Sequence, residues 1–387
     1  MIIREVSRMK LTTRIVRAGL CWDEKTGAIS MPIYQTSTFR HPGLGKSTGY
    51  DYSRTNNPTR EVLEDCICQL EGGRRGLAFA SGMAAISSLM HLFQPGDHLL
   101  VSDDLYGGTY RLFAKLWADY GLEFTSCDLT DLQGWQENIT GKTRAIFIET
   151  PTNPLMKIVD LAATIEAAKR RGLLVIVDNT FFTPYLQRPL DFGADIVVHS
   201  ATKYLGGHND VVAGLLVTAD QDLGQKLAFI QNAEGAILGP QDCWLLLRGI
   251  KTLAVRLEWS QRTTLRLARF LGKHPAVSRV YYPGLKDHPG HDLCKRQASG
   301  FGAMISFEVK SSEMISAILS RLKYISYAES LGGVETLITY PETQTHADIP
   351  EAVRRQLGIS AALLRLSVGL EHYDDLKADL GQALSLS

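Results

Sequence analysis

Ile196-Val197-Val198 closes an apolar strand, and His199-Ser200-Ala201-Thr202-Lys203-Tyr204-Leu205-Gly206-Gly207-His208 follows it directly. A lysine just past a buried strand, set among small hydroxyl residues, is placed to act as a covalent catalyst. Its amine can form a Schiff base with an aldehyde cofactor, while Ser200 and Thr202 can hold a phosphate on that cofactor. Taken alone, the run fits a surface lysine in a polar loop equally well.

Four further segments bear on the choice. In Leu173-Leu174-Val175-Ile176-Val177-Asp178, a fully apolar strand ends in a carboxylate. The carboxyl end of a parallel strand borders the ligand crevice of an open α/β sheet. A buried aspartate there needs a cation, and a protonated pyridine nitrogen would supply one. Capping the next helix is the ordinary alternative for Asp178. Ala145-Ile146-Phe147-Ile148-Glu149 is a second strand, stopped by Pro151 and Pro154. Asn153 between these prolines could donate to a phenolate oxygen or merely make an Asn-Pro turn.

Gly76 to Ala80 forms a third strand, and Ser81-Gly82 turns into the helix beginning Met83-Ala84-Ala85-Ile86. The free N–H groups at such a helix start bind phosphate, and Gly82 permits close approach. No Gly-Lys-Ser/Thr follows and no GxGxxG is present, which argues against a P-loop and a dinucleotide. Tyr106 follows the short strand Leu99-Leu100-Val101 and precedes Gly107-Gly108. It can stack on a flat ring, or simply pack.

In order and type these segments resemble the Cys/Met-metabolism family of pyridoxal-phosphate enzymes. That family contains cystathionine γ-synthase, cystathionine β- and γ-lyases, methionine γ-lyase and O-acetylhomoserine sulfhydrylase. The resemblance runs from about Thr13 to the C-terminal end. It is carried by Tyr52-Ser53-Arg54-Thr55-Asn56-Asn57-Pro58-Thr59, Glu149-Thr150-Pro151-Thr152-Asn153-Pro154, Val177-Asp178-Asn179-Thr180-Phe181 and Ser200-Ala201-Thr202-Lys203-Tyr204.

The resemblance implies that Lys203 forms the Schiff base with pyridoxal phosphate and then shuttles protons. Asp178 pairs with the pyridine nitrogen, Tyr106 stacks on the ring and helps deprotonate the substrate amine, and Asn153 contacts the phenolate oxygen. Gly82, Met83, Ser200 and Thr202 take the phosphate. Tyr52 and Arg54 reach the phosphate of a neighbouring subunit, which makes the site a property of a dimer and suggests a homotetramer. Arg365 grips the substrate carboxylate, a task suited to a planar fork of donors. Ser330 and Thr345 line the same pocket, and Glu335 meets the distal amino group of cystathionine.

Within the family the pattern favours a cystathionine lyase acting by β- or γ-elimination, with hydrogen sulfide release from cysteine or homocysteine as a side activity. Cystathionine γ-synthase is the alternative. Gly108 stands where methionine γ-lyases carry a reactive cysteine, which argues against that activity. The chain lacks the long insertion of the sulfhydrylases. A catalytically degenerate, cofactor-binding protein and an aminotransferase are the readings from other classes.

The elements that must position these residues form an arm, 1–57, a cofactor domain, 58–245, and a smaller domain, 246–387. The arm is rich in Thr, Ser, Gly and Pro and could not fold in isolation. Asn57 reads as a helix cap with Pro58 at the first helical position. Strands then alternate with helices, as in a mostly parallel sheet covered on both faces. The periodicity predicts one long helix from Trp244 to Leu271. The smaller α+β domain includes strands over Ala303–Val309 and Leu363–Val368. The alternation gives an α/β fold class, and the resemblance implies the aspartate-aminotransferase-like fold type I of pyridoxal-phosphate transferases.

Composition sets the outer limits. The chain has 387 residues, 45% hydrophobic and 21% charged, with 41 basic against 41 acidic side chains. Zero net charge gives no sign of a nucleic-acid or membrane partner. No apolar run spans a bilayer, and Met1–Arg8 is not a secretory signal. Cys21, Cys66, Cys68, Cys127, Cys243 and Cys294 are scattered and read as reduced thiols of a cytoplasmic protein. His288 and His291 flank Pro289-Gly290 and read as loop residues, with no metal expected.

Overall fold

The computed structural model describes residues 9–19 and 26–385. Met1–Arg8 and Cys21 lie outside the described residues. The cofactor-domain sheet has seven strands: β1 (Arg75–Phe79), β2 (His98–Ser102), β3 (Glu123–Cys127), β4 (Thr143–Glu149), β5 (Leu174–Asp178), β6 (Ile196–Ser200) and β7 (Gly214–Thr218). Their spatial order is β1-β7-β6-β5-β4-β2-β3. All neighbours pair in parallel except β7, which runs antiparallel to both β1 and β6.

The apolar runs become strands because both sheet faces are covered. Leu99, Val101, Phe147, Ile176 and Val198 pack on one side with Ile86 and Leu89 of the helix Gly82–Met90. Leu100, Ile146, Ile148, Val175 and Val177 face the other side, toward Leu161 and Ile165 of the helix Leu161–Arg170. Alternate residues of one strand thus enter different cores, so a one-residue slip would exchange every contact.

The second sheet has the strands β8 (Val277–Tyr281), β9 (Met304–Val309), β10 (Ser326–Tyr327), β11 (Leu337–Thr339) and β12 (Leu363–Ser367), in the order β10-β11-β12-β9-β8. β9 and β12 match the two strands expected in the smaller domain. Asn57 caps the helix Pro58–Glu71 as expected, its side-chain oxygen accepting from Thr59 N–H at 3.0 Å.

The single long helix expected over 244–271 is instead two helices, Pro240–Ile250 and Leu253–Leu271. The Gly249 carbonyl explains the break. It accepts from Thr252 N–H at 3.2 Å and from the Arg256 Nη2 at 2.8 Å. These bonds turn the chain, and neither partner was visible as such in a periodic pattern. The five described cysteines are free thiols.

Candidate active site

The carboxyl ends of β2, β4, β5 and β6 open onto one cavity of about 770 Å³. This is where a parallel sheet leaves room between its crossovers. Tyr106, Asn153, Asp178, Ser200, Thr202, Lys203, Gly82 and Met83 all line it, joined by Arg365 of β12 and by Ser330 and Thr345 from the connections after β10 and β11. Residues separated by most of the chain therefore share one space.

Lys203 Nζ donates to Ser330 Oγ at 2.9 Å. Burial first, and the charge of Arg365 second, push the lysine pKa down to about 8. About a tenth of the amine is thus unprotonated at neutral pH, far more than for an ordinary lysine, and a nucleophile or base must be neutral. Ser330 holds a left-handed backbone, φ 84°, a conformation that costs a non-glycine residue free energy. Its carbonyl also accepts from the Arg365 Nη2 at 3.2 Å.

Arg365 is 1% exposed. Nη1 donates to Asn153 Oδ1 at 2.8 Å and Nη2 to Thr339 Oγ1 at 3.2 Å. Nε has no partner, and no carboxylate among the described residues pairs with the guanidinium. A buried cation with a free donor is a receptor for an anion. Because a guanidinium only donates, its bond fixes the Asn153 amide, leaving the Asn153 Nδ2 as a donor.

Asp178 ends β5 facing the cavity, and its Oδ1 accepts from Thr180 N–H at 2.9 Å. Burial raises its pKa, against the pull of the Thr180 bonds. Thr180 also accepts from Ser200 N–H at 2.8 Å, so one residue sets both the acid and the hydroxyl. Ser81 Oγ accepts from Ala84 N–H at 3.0 Å, leaving the Gly82 and Met83 N–H groups for another acceptor. A Cβ on Gly82 would meet Ser200 Cβ at 2.9 Å, so only glycine keeps this turn closed. Thr202 Oγ1 accepts from the N–H of Ala213, the residue before β7, at 3.0 Å and is partly committed there.

Tyr106 is 40% exposed at the start of its helix. A Cβ on Gly108 would come within 2.4 Å of the Tyr106 ring, so the glycine at 108 gives the ring its place. Glu335 is exposed and does not line the cavity; its Oε2 accepts from Asn209 Nδ2 at 2.7 Å, and Asn209 does line it. Tyr52 and Arg54 lie away from this chain's own cavity, with the Arg54 guanidinium 5.6 Å from the Tyr52 ring centroid.

Glu149 is a cavity residue for which sequence reasoning assigned no role. It pairs in register with Asp178 across β4 and β5, and Tyr106 N–H donates to its Oε2 at 3.1 Å. Burial and the neighbouring Asp178 push its carboxyl well above the usual range. The only signal was its place at a strand end beside another strand-end acid.

These groups fit pyridoxal phosphate. A helix start and Ser200 suit the phosphate, Asp178, with no ion pair among the described residues, suits the ring nitrogen, the Asn153 amide suits a ring oxygen, and Lys203 suits the aldehyde. The sequence profile described as "Cys/Met metabolism PLP-dependent enzyme" matches residues 12–385. The chain belongs to the Cys/Met-metabolism family of pyridoxal-phosphate-dependent enzymes. It is 54% identical over 376 residues to a cystathionine gamma-lyase of Bacillus subtilis (strain 168), covering 97% of this chain and 99% of that protein. It is 50% identical over 374 residues to a cystathionine beta-lyase of Lactococcus lactis subsp. cremoris (strain MG1363), covering 97% and 98%. The crystal structure of cystathionine gamma synthase from Xanthomonas oryzae pv. oryzae in complex with cystathionine superposes with a TM-score of 0.95 at 45% identity, covering 97% and 98%. Pyridoxal phosphate is the family's cofactor, and the type I architecture that the resemblance implied is the one observed. Among the described residues, no helix is long and apolar enough to cross a membrane.

Proposed function

We propose that this chain is a carbon–sulfur lyase that cleaves cystathionine by β- or γ-elimination. The observation that carries the reading is Arg365, a buried guanidinium with no carboxylate partner among the described residues, in one cavity with a partly neutral Lys203. An α-amino acid presents a carboxylate to the first and an acidic Cα–H to the second.

Pyridoxal phosphate supplies an electron sink that makes the substrate Cα proton removable. Gly82, Met83, Ser200 and Thr202 would hold its phosphate, Asp178 its ring nitrogen and Asn153 its ring oxygen, with Tyr106 on the ring face. Arg365 orients the substrate through its carboxylate. Lys203 Nζ takes the Cα proton. For a leaving group on Cβ, that Cβ–S bond then breaks with its electron pair on sulfur. For one on Cγ, a second proton must leave Cβ, and Lys203 is the base within reach. Ser330 holds Nζ in the cavity between these transfers.

Tyr52 and Arg54, exposed on the arm, would complete the phosphate site of a second copy, consistent with a cytoplasmic homotetramer built from two dimers. Glu335, steadied by Asn209 at the rim, would meet the distal amine. The chain divides for this purpose into arm 1–57, cofactor domain 58–245 and small domain 246–387. Cysteine and homocysteine present the same carboxylate and amine, so sulfide release from them is the expected side activity.

The test is to give the purified holoprotein cystathionine alone and identify products by mass. Homocysteine with pyruvate means β-elimination; cysteine with 2-oxobutyrate means γ-elimination. No cleavage would sink the lyase reading. The likeness to the Xanthomonas synthase makes γ-replacement the second reading. New cystathionine from cysteine and an O-acylated homoserine would establish it.

A further inference from the structure

Arg60, in the first turn of the helix Pro58–Glu71, is 1% exposed, so its guanidinium must find partners within the protein. Its donors turn back onto the arm. Nη1 donates to the Ser53 carbonyl at 2.6 Å and Nη2 to the Arg54 carbonyl at 3.1 Å. On the other edge, Nε lies 3.5 Å from Glu64 Oε1, one turn along the helix. That oxygen accepts from the Ala78 N–H of β1 at 2.9 Å. Gln231, whose Nε2 donates to the Ala78 carbonyl at 2.8 Å, also bonds the Glu64 carboxyl. The guanidinium is thus braced against the sheet while it grips the arm.

The two carbonyls it grips are a particular pair. Each peptide unit is a plane, and a residue between two planes turns only about φ and ψ. The Ser53 carbonyl lies in the plane before the Arg54 Cα, and the Arg54 carbonyl lies in the plane after it. One guanidinium therefore holds both planes, and with them the direction in which the Arg54 side chain leaves the backbone. Neighbouring bonds hold the same stretch. Asn57 Nδ2 donates to Ser53 Oγ and to the Tyr34 carbonyl, each at 3.0 Å, and the Thr55 and Asn56 N–H groups both donate to the Tyr52 carbonyl at 3.0 Å. Arg54 itself is exposed, and its guanidinium has the Tyr52 ring beside it and no ion pair among the described residues. A buried cation is costly to keep, and here its fork aims a second, exposed one.

We infer that Arg60 is a positioning residue that directs Arg54 at the phosphate of a neighbouring copy's cofactor. The inference rests on the reading that Tyr52 and Arg54 complete the phosphate site of a second copy.

The probes are pyridoxal phosphate and pyridoxal, the same ring and aldehyde with and without the phosphate, titrated into apoprotein by the rise of yellow absorbance. Arg60→Lys keeps a cation beside Glu64 and loses the fork. It should weaken pyridoxal phosphate about tenfold, the worth of one hydrogen bond to a charged group, and leave pyridoxal unchanged. Arg54→Ala should show the same pattern. Because the two residues act on one contact, Arg54→Ala and Arg60→Lys together should bind no more weakly than Arg54→Ala alone.

Equal weakening of both probes by Arg60→Lys would show a general loosening of the fold and overturn the inference. Losses that add in the double variant would overturn it too, as would undiminished binding of pyridoxal phosphate. Should Arg60→Lys not fold, Arg60→Met with Glu64→Gln removes both ionisable groups and carries the same expectations. Arg54→Ala keeps the two failures apart. If it weakens pyridoxal phosphate and Arg60→Lys does not, the inference alone fails. If it weakens neither probe, the arm's phosphate contact and the inference fail together.

Discussion

Arg365 on β12 reaches across 212 positions of chain to donate to Asn153 Oδ1 at 2.8 Å. One bond thereby couples the residue that would meet the substrate carboxylate to the residue that would meet the cofactor oxygen. It also ties the small domain to the end of β4. Replacing Arg365 with lysine keeps a charge but loses the fork that serves two partners. Arg365→Lys should raise KM for cystathionine about 10- to 100-fold, the worth of a charge-assisted hydrogen bond or two. The yellow absorbance of lysine-bound cofactor should persist. Steady-state kinetics with an absorbance spectrum check this, and an unchanged KM would move the carboxylate site elsewhere.

The lowered pKa of Lys203 governs how the cofactor-free protein captures its cofactor. Only the neutral amine attacks an aldehyde. The rate of appearance of yellow absorbance on mixing apoprotein with pyridoxal phosphate should therefore rise with pH and reach half its plateau near pH 8. The same shift bears on stability. The folded lysine loses its proton near pH 8 and the unfolded one near the ordinary 10.5. Between those values the unfolded chain binds more protons, so this group's contribution to stability rises with pH. A half-rise in capture rate above pH 10 would show an ordinary, solvated lysine.

Glu149 should behave as a neutral acid. Glutamine copies a protonated carboxyl and keeps an acceptor for Tyr106 N–H, so Glu149→Gln should leave turnover within about threefold, below the loss of one neutral hydrogen bond. Because the folded carboxyl holds its proton above the usual range, folding takes up protons there, and stability contributed by Glu149 falls as pH rises. Glu149→Gln removes that slope. Its melting temperature relative to wild type should be higher at pH 8 than at pH 5. The opposite sign would mean that an ionised Glu149 is stabilised in the fold.

Gly214, the first residue of β7, backs the Ser81-Gly82 turn proposed to hold the phosphate. A Cβ there would lie 2.1 Å from the Ser81 carbonyl oxygen and 2.8 Å from Gly82 N. Both are backbone atoms and cannot swing aside. Gly214→Ala should push the turn outward and weaken cofactor binding about tenfold, within the range for overpacking. Equilibrium titration of the apoprotein with pyridoxal phosphate measures this. Unchanged affinity would show that the turn is not the phosphate seat.

Lys203→Ala separates an enzyme from a cofactor-binding protein of another kind. It should abolish the yellow absorbance and cystathionine turnover while leaving the melting temperature of the apoprotein equal to or above wild type, since it removes a buried amine. Turnover that survives the substitution would place the base on another residue.

Local patterns determined a large share of this protein. The strands around Leu99, Ile146, Val175 and Val197 are apolar runs of strand length, and such runs need a sheet with both faces covered. Asn57 and Pro58 announced a helix start because capping depends on only a few adjacent residues. The shared location of Lys203, Asp178, Asn153 and Gly82 was legible for the same reason: each ends or follows a strand within a few positions, and parallel strands deliver their carboxyl ends to one edge, while their roles came only from the family resemblance. The break at Lys251–Thr252 was not legible, because Arg256 and Thr252 compete for a carbonyl that periodicity treats as helical. Glu149 was visible as a strand-end acid, but its burial beside Asp178 depends on the register of two strands. Asn209 holding Glu335 and Arg365 holding Asn153 belong to the tertiary structure alone. Each bond spans two elements, and its free energy depends on burial and on which atom must donate, quantities that exist only once the chain has closed on itself.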